Sequence, residues 1–248
     1  MGPVTLHEDH QDEQPAVPAF DLGTQPHLTP VHATHNDLVE QSSTEAGHHP
    51  FESDESDMAG VVLCGGASRR MGVEKASLPL TAPDGAIETM LQRAARLLAE
   101  AGASPVLAAI GTPGRLGPLP WAEVDDGVHR GAGPLAGLLA ALCASPHPLL
   151  AVLAVDLPDA LPEVLQWLRQ SWSPADRALI PVDPTGRPQP MHALYARDLS
   201  AEIDTALAGG ERRVLRVLDA VGARYVVPPA AVTGRAWWRN VNHPSDRE

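Results

Sequence analysis

The chain has 248 residues and a formal net charge of −13, but the charge is unevenly placed. Residues 1–57 hold twelve acidic residues, seven of the eleven histidines and no Lys or Arg, so the remaining 191 residues carry 18 basic against 19 acidic groups, a net of −1. A nearly neutral body has no global field to attract nucleic acid, and two cysteines far apart, Cys64 and Cys143, exclude a disulfide framework and a zinc pattern.

The thiol count points to a reducing cytoplasm. Residues 1–57 are poor in large apolar groups and rich in Pro, Ser, Thr and His, which predicts a disordered, acidic, His-rich tail. The N-terminus lacks a basic region followed by an apolar core, so it does not read as a signal peptide. The charge break makes Met58 an alternative start of the native chain. The pair His48-His49 is either a metal site or two solvated side chains. Residues 58–248 are long enough for one domain with an adequate core.

After Met58, apolar runs of strand length alternate with helical patterns. Strands are predicted at Ala59–Cys64, Pro105–Ile110, Leu149–Val155, Ala178–Val182, Ala193–Tyr195 and Arg224–Val227. Helices are predicted at Glu88–Ala101, Leu135–Ala144, Pro162–Gln170, Leu199–Ala208 and Arg213–Ala220. In the first helix Met90, Leu91, Ala94, Ala95, Leu97 and Leu98 form an apolar face, and Gly102 marks the stop. Gly133 to Val155 carries no Asp, Glu, Lys or Arg and is long enough to span a bilayer. Pro146, His147 and Pro148 break it into helix, loop and buried strand, so no membrane association is expected. The alternation predicts an α/β fold: a Rossmann-like, mostly parallel sheet with helices on both faces, in a single domain. Right-handed crossovers then gather the strand C-termini along one edge, where ligands bind.

Three loops should meet there. The first runs from Leu63 and Cys64 through Gly65, Gly66, Arg69 and Arg70 to Lys75, the only lysine in the chain. Gly65 and Gly66 let backbone amides face an anion, and Arg69, Arg70 and Lys75 are placed to neutralise a triphosphate. No Gly-Lys-Ser/Thr follows at Walker spacing, which disfavours a P-loop ATPase. The second loop is Asp125 to Gly137. Gly131 to Ala136 satisfies G-x-G-x-x-A only nominally, because Pro134 occupies its interior and the residues before it read as charged loop, where a dinucleotide fingerprint needs a buried strand. Pro134 reads better as the first residue of a helix. Asp126 is then a metal or ribose ligand, or a turn former. The third loop is Asp156-Leu157-Pro158 after the most apolar strand, where Asp156 is either a magnesium ligand or a helix cap.

Further on, Arg187, Gln189 and His192 either face a second substrate or are solvated. Gly210-Glu211-Arg212-Arg213 is either an anion site or an exposed charge cluster. Asn240 and Asn242 stand at alternate positions, pointing the same way if extended, and either read a flat heterocycle or fix a turn.

Together these segments resemble the molybdenum cofactor guanylyltransferase family. Leu63 through Lys75 is similar to its opening loop, Leu-x-Gly-Gly-x-Ser/Ala-x-Arg-Met-Gly-x-x-Lys. The likeness continues through Gly133-Pro134-Leu135-Ala136-Gly137, Asp156-Leu157-Pro158, Gln189-Pro190, Gly210-Glu211-Arg212-Arg213 and Asn240-Val241-Asn242-His243-Pro244. The opening loop is shared with cytidylyl- and sugar-nucleotide transferases, whereas the later segments narrow the resemblance. It implies that residues 58–248 form a nucleotidyltransferase domain transferring GMP from GTP to molybdopterin, with release of pyrophosphate. It also implies that Leu63, Cys64, Gly65, Gly66, Lys75, Asp126 and Asp156 bind nucleotide. Lys75, Arg69 and Arg70 act in catalysis, Asp156 and Asp126 hold Mg2+, and Arg187, Gln189, Asn240 and Asn242 face the pterin. Implied partners are GTP, molybdopterin and molybdoenzyme apoproteins or other cofactor-biosynthesis proteins. The chain departs from the family at Cys64, where alanine is usual, and at Glu74, where aspartate is usual. Ala108-Ala109-Ile110-Gly111 also lacks the usual asparagine. A cytidylyltransferase on the same pterin, a sugar or alditol-phosphate nucleotidyltransferase, and a non-catalytic nucleotide or cofactor carrier are the alternatives.

Overall fold

Strand β1 (Met58–Leu63) is buried at all six positions, so both of its faces must be covered. The computed structural model, which describes residues 56–64, 74–82, 84–233 and 236–241, covers them with two separate cores. Next in the chain come a short antiparallel hairpin, β2 (Pro79–Thr81) and β3 (Ile87–Thr89), and helix α1 (Met90–Glu100). Then follow β4 (Val106–Gly111), β5 (Ala122–Asp125), α2 (Pro134–Ala144), β6 (Leu149–Ala154) and α3 (Pro162–Ser171). The fold ends with β7 (Ala178–Pro181), β8 (His192–Ala196), α4 (Ser200–Ala208), α5 (Val214–Ala220) and β9 (Arg224–Val226).

The main sheet has the order β5-β4-β1-β6-β8-β7-β9. Its strands are parallel except β8, which pairs antiparallel with both β6 and β7. Side-chain alternation divides each central strand between the cores. Met58 and Val62 of β1 join Leu149, Ala151 and Leu153 of β6 on the face that α1 and α3 cover. Ala59, Val61 and Leu63 join Leu150 and Val152 on the opposite face, against α2, α4 and α5. Helix α2 is apolar nearly all round because it is pressed between the sheet and α4. The fold is therefore α/β, with a mostly parallel sheet covered by helices on both faces.

All six predicted strands are present within one or two residues of their expected limits. The six residues assigned to the apolar face of α1 are its buried residues. The helix begins two residues later than predicted because Thr89 caps it. Its side chain accepts from the Gln92 amide, and the Gln92 side chain reaches back to the Thr89 amide. Three strands escaped the sequence. The hairpin β2–β3 and the edge strand β5 each bury at most one side chain, so they lack the apolar run that marks a central strand. Strand β5 also corrects the reading of the residues before Gly131. They are not loop throughout: Ala122–Asp125 pairs with β4, and the loop begins only at Asp126. Residues 133–155 form α2, a connection and β6, and no helix among the described residues is long and apolar enough to cross a membrane.

Candidate active site

The parallel strands end along one edge, and the first residue of antiparallel β8 stands there too, since His192 is opposite Leu153. A cleft of about 420 Å³ runs along this edge, within the usual size of small-ligand sites. Its lining follows the order of the sheet. Asp126 comes from the turn after β5, Ala109 from β4, and Leu63 and Cys64 from the end of β1. Asp156 follows β6, and Gln189, Pro190 and Met191 precede β8. Lys75 enters from the turn after the opening loop, and Asn240 from the C-terminal segment.

Lys75 occupies the first position of a short 3-10 turn, Lys75–Ser77, and its Nζ stands 3.4 Å from Oδ2 of Asp156. Asp156 is not a helix cap, because Leu161 holds that position before α3. The backbone oxygen of Asp156 accepts from the Val241 amide at 2.9 Å, which fastens the C-terminal segment beside the cleft. Trp237, fully buried, anchors the same segment by an edge-on contact with His192, the ring centroids 5.3 Å apart. His192 is therefore a core residue and does not face a substrate.

Asp126 packs against two glycines. Gly111 has φ +74°, and a Cβ there would meet Asp126 Oδ2 at 3.3 Å; a Cβ on Gly137 would meet Oδ1 at 3.7 Å and Leu63 Cδ2 at 3.3 Å. Burial pushes the Asp126 carboxyl above the usual range, and the neighbouring charge of Asp125 pushes the same way. Gly133, at φ 81° and ψ −159°, precedes Pro134, which is the first residue of α2 as expected. The N-terminal turn of α2, with its positive dipole end, thus opens on the cleft.

Burial raises the Cys64 thiol to about 12, Arg115 opposing and Glu74 adding to the effect, so it is neutral at physiological pH. Arg115 was not foreseen. Its Nε donates to the Ile110 carbonyl at 3.0 Å, its second guanidinium nitrogen to the Cys64 carbonyl at 3.0 Å, and it pairs with the Glu74 carboxylate. It ties the ends of β1 and β4 to the residue preceding Lys75. The signal was present, since Arg115 lies in the glycine-containing loop after β4, the kind of position that drew attention to the other strand ends.

Leu63, Cys64, Lys75, Asp126, Asp156, Gln189 and Asn240 are therefore brought together. Gly65, Gly66, Arg69, Arg70 and Asn242 lie outside the described residues, as does the segment 1–55. Arg187 is exposed and does not line the cleft; its backbone amide instead serves the turn held by Asp183. Gly210-Glu211-Arg212-Arg213 is likewise elsewhere. Glu211 accepts from the amides of Arg212 and Arg213 and from the Arg213 guanidinium, closing the turn before α5.

A cleft of small-ligand size lined by one lysine and three carboxylates, Glu74, Asp126 and Asp156, at the C-terminal edge of a mostly parallel sheet, suits phosphoryl-type chemistry. Residues 60–223 match the family described as the MobA-like NTP transferase domain. The chain belongs to that family. It is 36% identical over 198 residues to a probable molybdenum cofactor guanylyltransferase of Opitutus terrae, covering 78% of this chain and 94% of the relative. A protein of the same description from Mycobacterium avium is 34% identical over 199 residues, with 78% and 95% covered. Among solved structures, molybdopterin-guanine dinucleotide biosynthesis protein A of Archaeoglobus fulgidus superposes with a TM-score of 0.60 at 25% identity, over 76% of this chain and 94% of that one. The 2-C-methyl-D-erythritol 4-phosphate cytidylyltransferase of Thermus thermophilus shares the fold, with a TM-score of 0.55 at 19% identity over 75% and 94% of the two chains. Family membership makes the chain a nucleotidyltransferase, and the cleft is its candidate active site.

Proposed function

We propose that this nucleotidyltransferase transfers GMP from GTP to the terminal phosphate of molybdopterin, forming molybdopterin guanine dinucleotide and pyrophosphate. The observation that carries the reading is the division of the cleft. In the order of the sheet, Asp126 after β5 and Leu63 and Cys64 at the end of β1 stand on one side of Asp156, which follows β6, and Gln189, Pro190 and Met191 before β8 stand on the other. Asn240 joins the lining from the segment that Val241 fastens to Asp156. Two substrates can thus meet at the pair from opposite ends. The names borne by relatives matched over nearly their whole length support these two substrates in particular.

An oxygen of the acceptor's terminal phosphate attacks the α-phosphorus of the nucleotide in line. The bond to the bridging oxygen of the β-phosphate breaks, and its electron pair leaves with pyrophosphate. No covalent enzyme intermediate is needed, so the protein's work is alignment and charge neutralisation. Lys75 supplies a mobile point charge beside the phosphates. The N-terminal turn of α2 and the glycine-framed floor bring backbone close to the nucleotide. Asp126 and Asp156 are the residues that would hold Mg2+. The fit is supported by Asp126, a half-buried carboxylate that burial makes costly to ionise and to which a cation would give a counter-charge. Two carboxylates plus phosphate oxygens and water satisfy magnesium, which when bound offsets charge on the phosphates.

The test is incubation of the protein with magnesium, molybdopterin and either GTP or CTP. GMP incorporation with stoichiometric pyrophosphate is expected. Incorporation of CMP alone overturns the assignment of the base, and nucleotide binding with no pyrophosphate indicates a carrier. Chelation of magnesium is expected to abolish turnover.

A further inference from the structure

Asp183 follows β7 and is only 2% exposed, yet among the described residues no cationic side chain pairs with its carboxylate. Four donors meet it. Oδ1 accepts from the Thr185 amide at 2.7 Å, the Thr185 hydroxyl at 2.6 Å and the Arg187 amide at 3.1 Å, and Oδ2 accepts from Gln189 Nε2 at 2.8 Å. Burial opposes ionisation, but the hydrogen bonds outweigh it and hold the carboxyl below its usual range. At neutral pH Asp183 is therefore an acceptor with no proton to give.

That decides the orientation of Gln189. A glutamine side chain ends in a carbonyl and an amino group that exchange places on a half-turn, so its polarity is set by its partners. With Oε1 toward Asp183, two acceptor oxygens would face each other with no proton between them. Only the amino group can face Asp183. The backbone of Gln189 is also held, its amide donating to the Pro181 carbonyl at 2.8 Å and its carbonyl accepting from the His192 amide at 3.1 Å. Gln189 lines the cleft on the β8 side of Asp156. One Nε2 hydrogen is taken by Asp183, which turns Oε1, with both of its lone pairs, to the side away from Asp183 as the acceptor Gln189 offers.

We infer that Asp183 and Gln189 set the polarity of the acceptor half of the cleft, presenting a carbonyl oxygen that selects a second substrate bearing an N–H donor at that place. The inference rests on the functional reading above, in which that substrate is a pterin, a heterocycle with amino and ring N–H groups. Gln189 is the contacting residue and Asp183 the positioning residue. A carbonyl oxygen there also disfavours an anionic group, which keeps the acceptor's phosphate toward Lys75.

Asp183→Asn separates polarity from shape. The new Oδ1 keeps its three donors, but an amino group replaces Oδ2, so Gln189 must turn its carbonyl inward and its amino group toward the cleft. The expected result is a KM for molybdopterin raised about tenfold or more, with the KM for GTP and the Tm little changed. Adding Gln189→Glu gives the inward amino group a carboxylate to bond and returns an acceptor to the cleft, so the double variant is expected to recover most of the loss. An unchanged molybdopterin KM in Asp183→Asn, or a double variant no better than the single, overturns the inference. In the ligand-free protein, the Gln189 side-chain amide proton that meets Asp183 should be protected from solvent exchange in the wild type and lose that protection in Asp183→Asn, as read by nitrogen-15 NMR. A freely exchanging wild-type amide overturns the pair even where guanylyl transfer holds. Failure of the wild type to transfer GMP to molybdopterin, with the amide protected, sinks the functional reading instead.

Discussion

Lys75 draws attention as the only lysine among 18 basic residues, and the fold gives it a partner, Asp156, 3.4 Å away across the cleft. Lys75→Ala is expected to lower kcat/KM for nucleotide about 100-fold or more, the usual result of removing one preorganised positive group from a developing oxyanion. Lys75→Arg should not restore it, because a planar, forked guanidinium cannot stand where the compact ammonium does. Pyrophosphate release measured at saturating acceptor checks both. The cysteines offer a second residue-scale test. Cys64 is buried with its thiol raised to about 12, whereas Cys143 is exposed at the end of α2. Iodoacetamide at pH 8 is expected to label one thiol in the folded protein and two after denaturation, the first being Cys143. Mass mapping that finds Cys64 labelled at a comparable rate contradicts the burial of the β1 end.

At the scale of elements, the central strands and covering helices are legible because each has a strong hydrophobic period and an end signal. The edge elements are not. Strand β5 reads Ala-Glu-Val-Asp and buries only Val124, so nothing local separates it from loop; pairing with β4 makes it a strand. The packing of α1 on β1 depends on a residue with no side chain. A Cβ on Gly60 would meet Ala103 Cβ at 3.0 Å and Leu98 Cβ at 3.3 Å. Gly60→Ala is expected to cost about 1–3 kcal/mol by overpacking. That corresponds to a fall in Tm of roughly 2–4 °C per kcal/mol in a domain of this size. The KM for nucleotide should be little changed, because the strain is on the α1 face away from Leu63. Thermal unfolding followed by circular dichroism, with steady-state kinetics in parallel, checks both halves.

For the whole molecule, the closing segment and the sheet are joined through His192 and Trp237, both fully buried. Among the described residues, no hydrogen bond of ordinary geometry reaches either ring nitrogen of His192 or the Trp237 indole nitrogen. Burial lowers the His192 ring from 6.5 to about 4, and the Leu161 backbone counters this only in part. Between these values the unfolded chain binds a proton that the folded chain refuses, so this residue's contribution to stability is full above about pH 6.5 and is lost as pH falls through about 4. His192→Phe is expected to flatten the fall in Tm over that window while keeping the edge-on packing. An equally steep profile in the variant assigns the acid sensitivity to other groups.

What the sequence determined by itself was chemistry carried by neighbours in the chain: the alternation of strand and helix, the glycine- and arginine-rich opening loop with its lysine, and the aspartates at two strand ends. These follow from periodicity and short-range backbone geometry, which local residues control. The tertiary structure decided what depends on strand order. It set Asp126 and Asp156 on one edge, turned β8 antiparallel so that Gln189 joins them, and left Arg187 and the Glu211 turn outside. It also decided between readings that local sequence could not separate, making His192 a core residue and Asp156 a cleft carboxylate, and it bonded Asp183 to the Gln189 side chain. Burial and hydrogen-bond partners come from residues far apart in the chain, and only the folded sheet brings them within reach of one another.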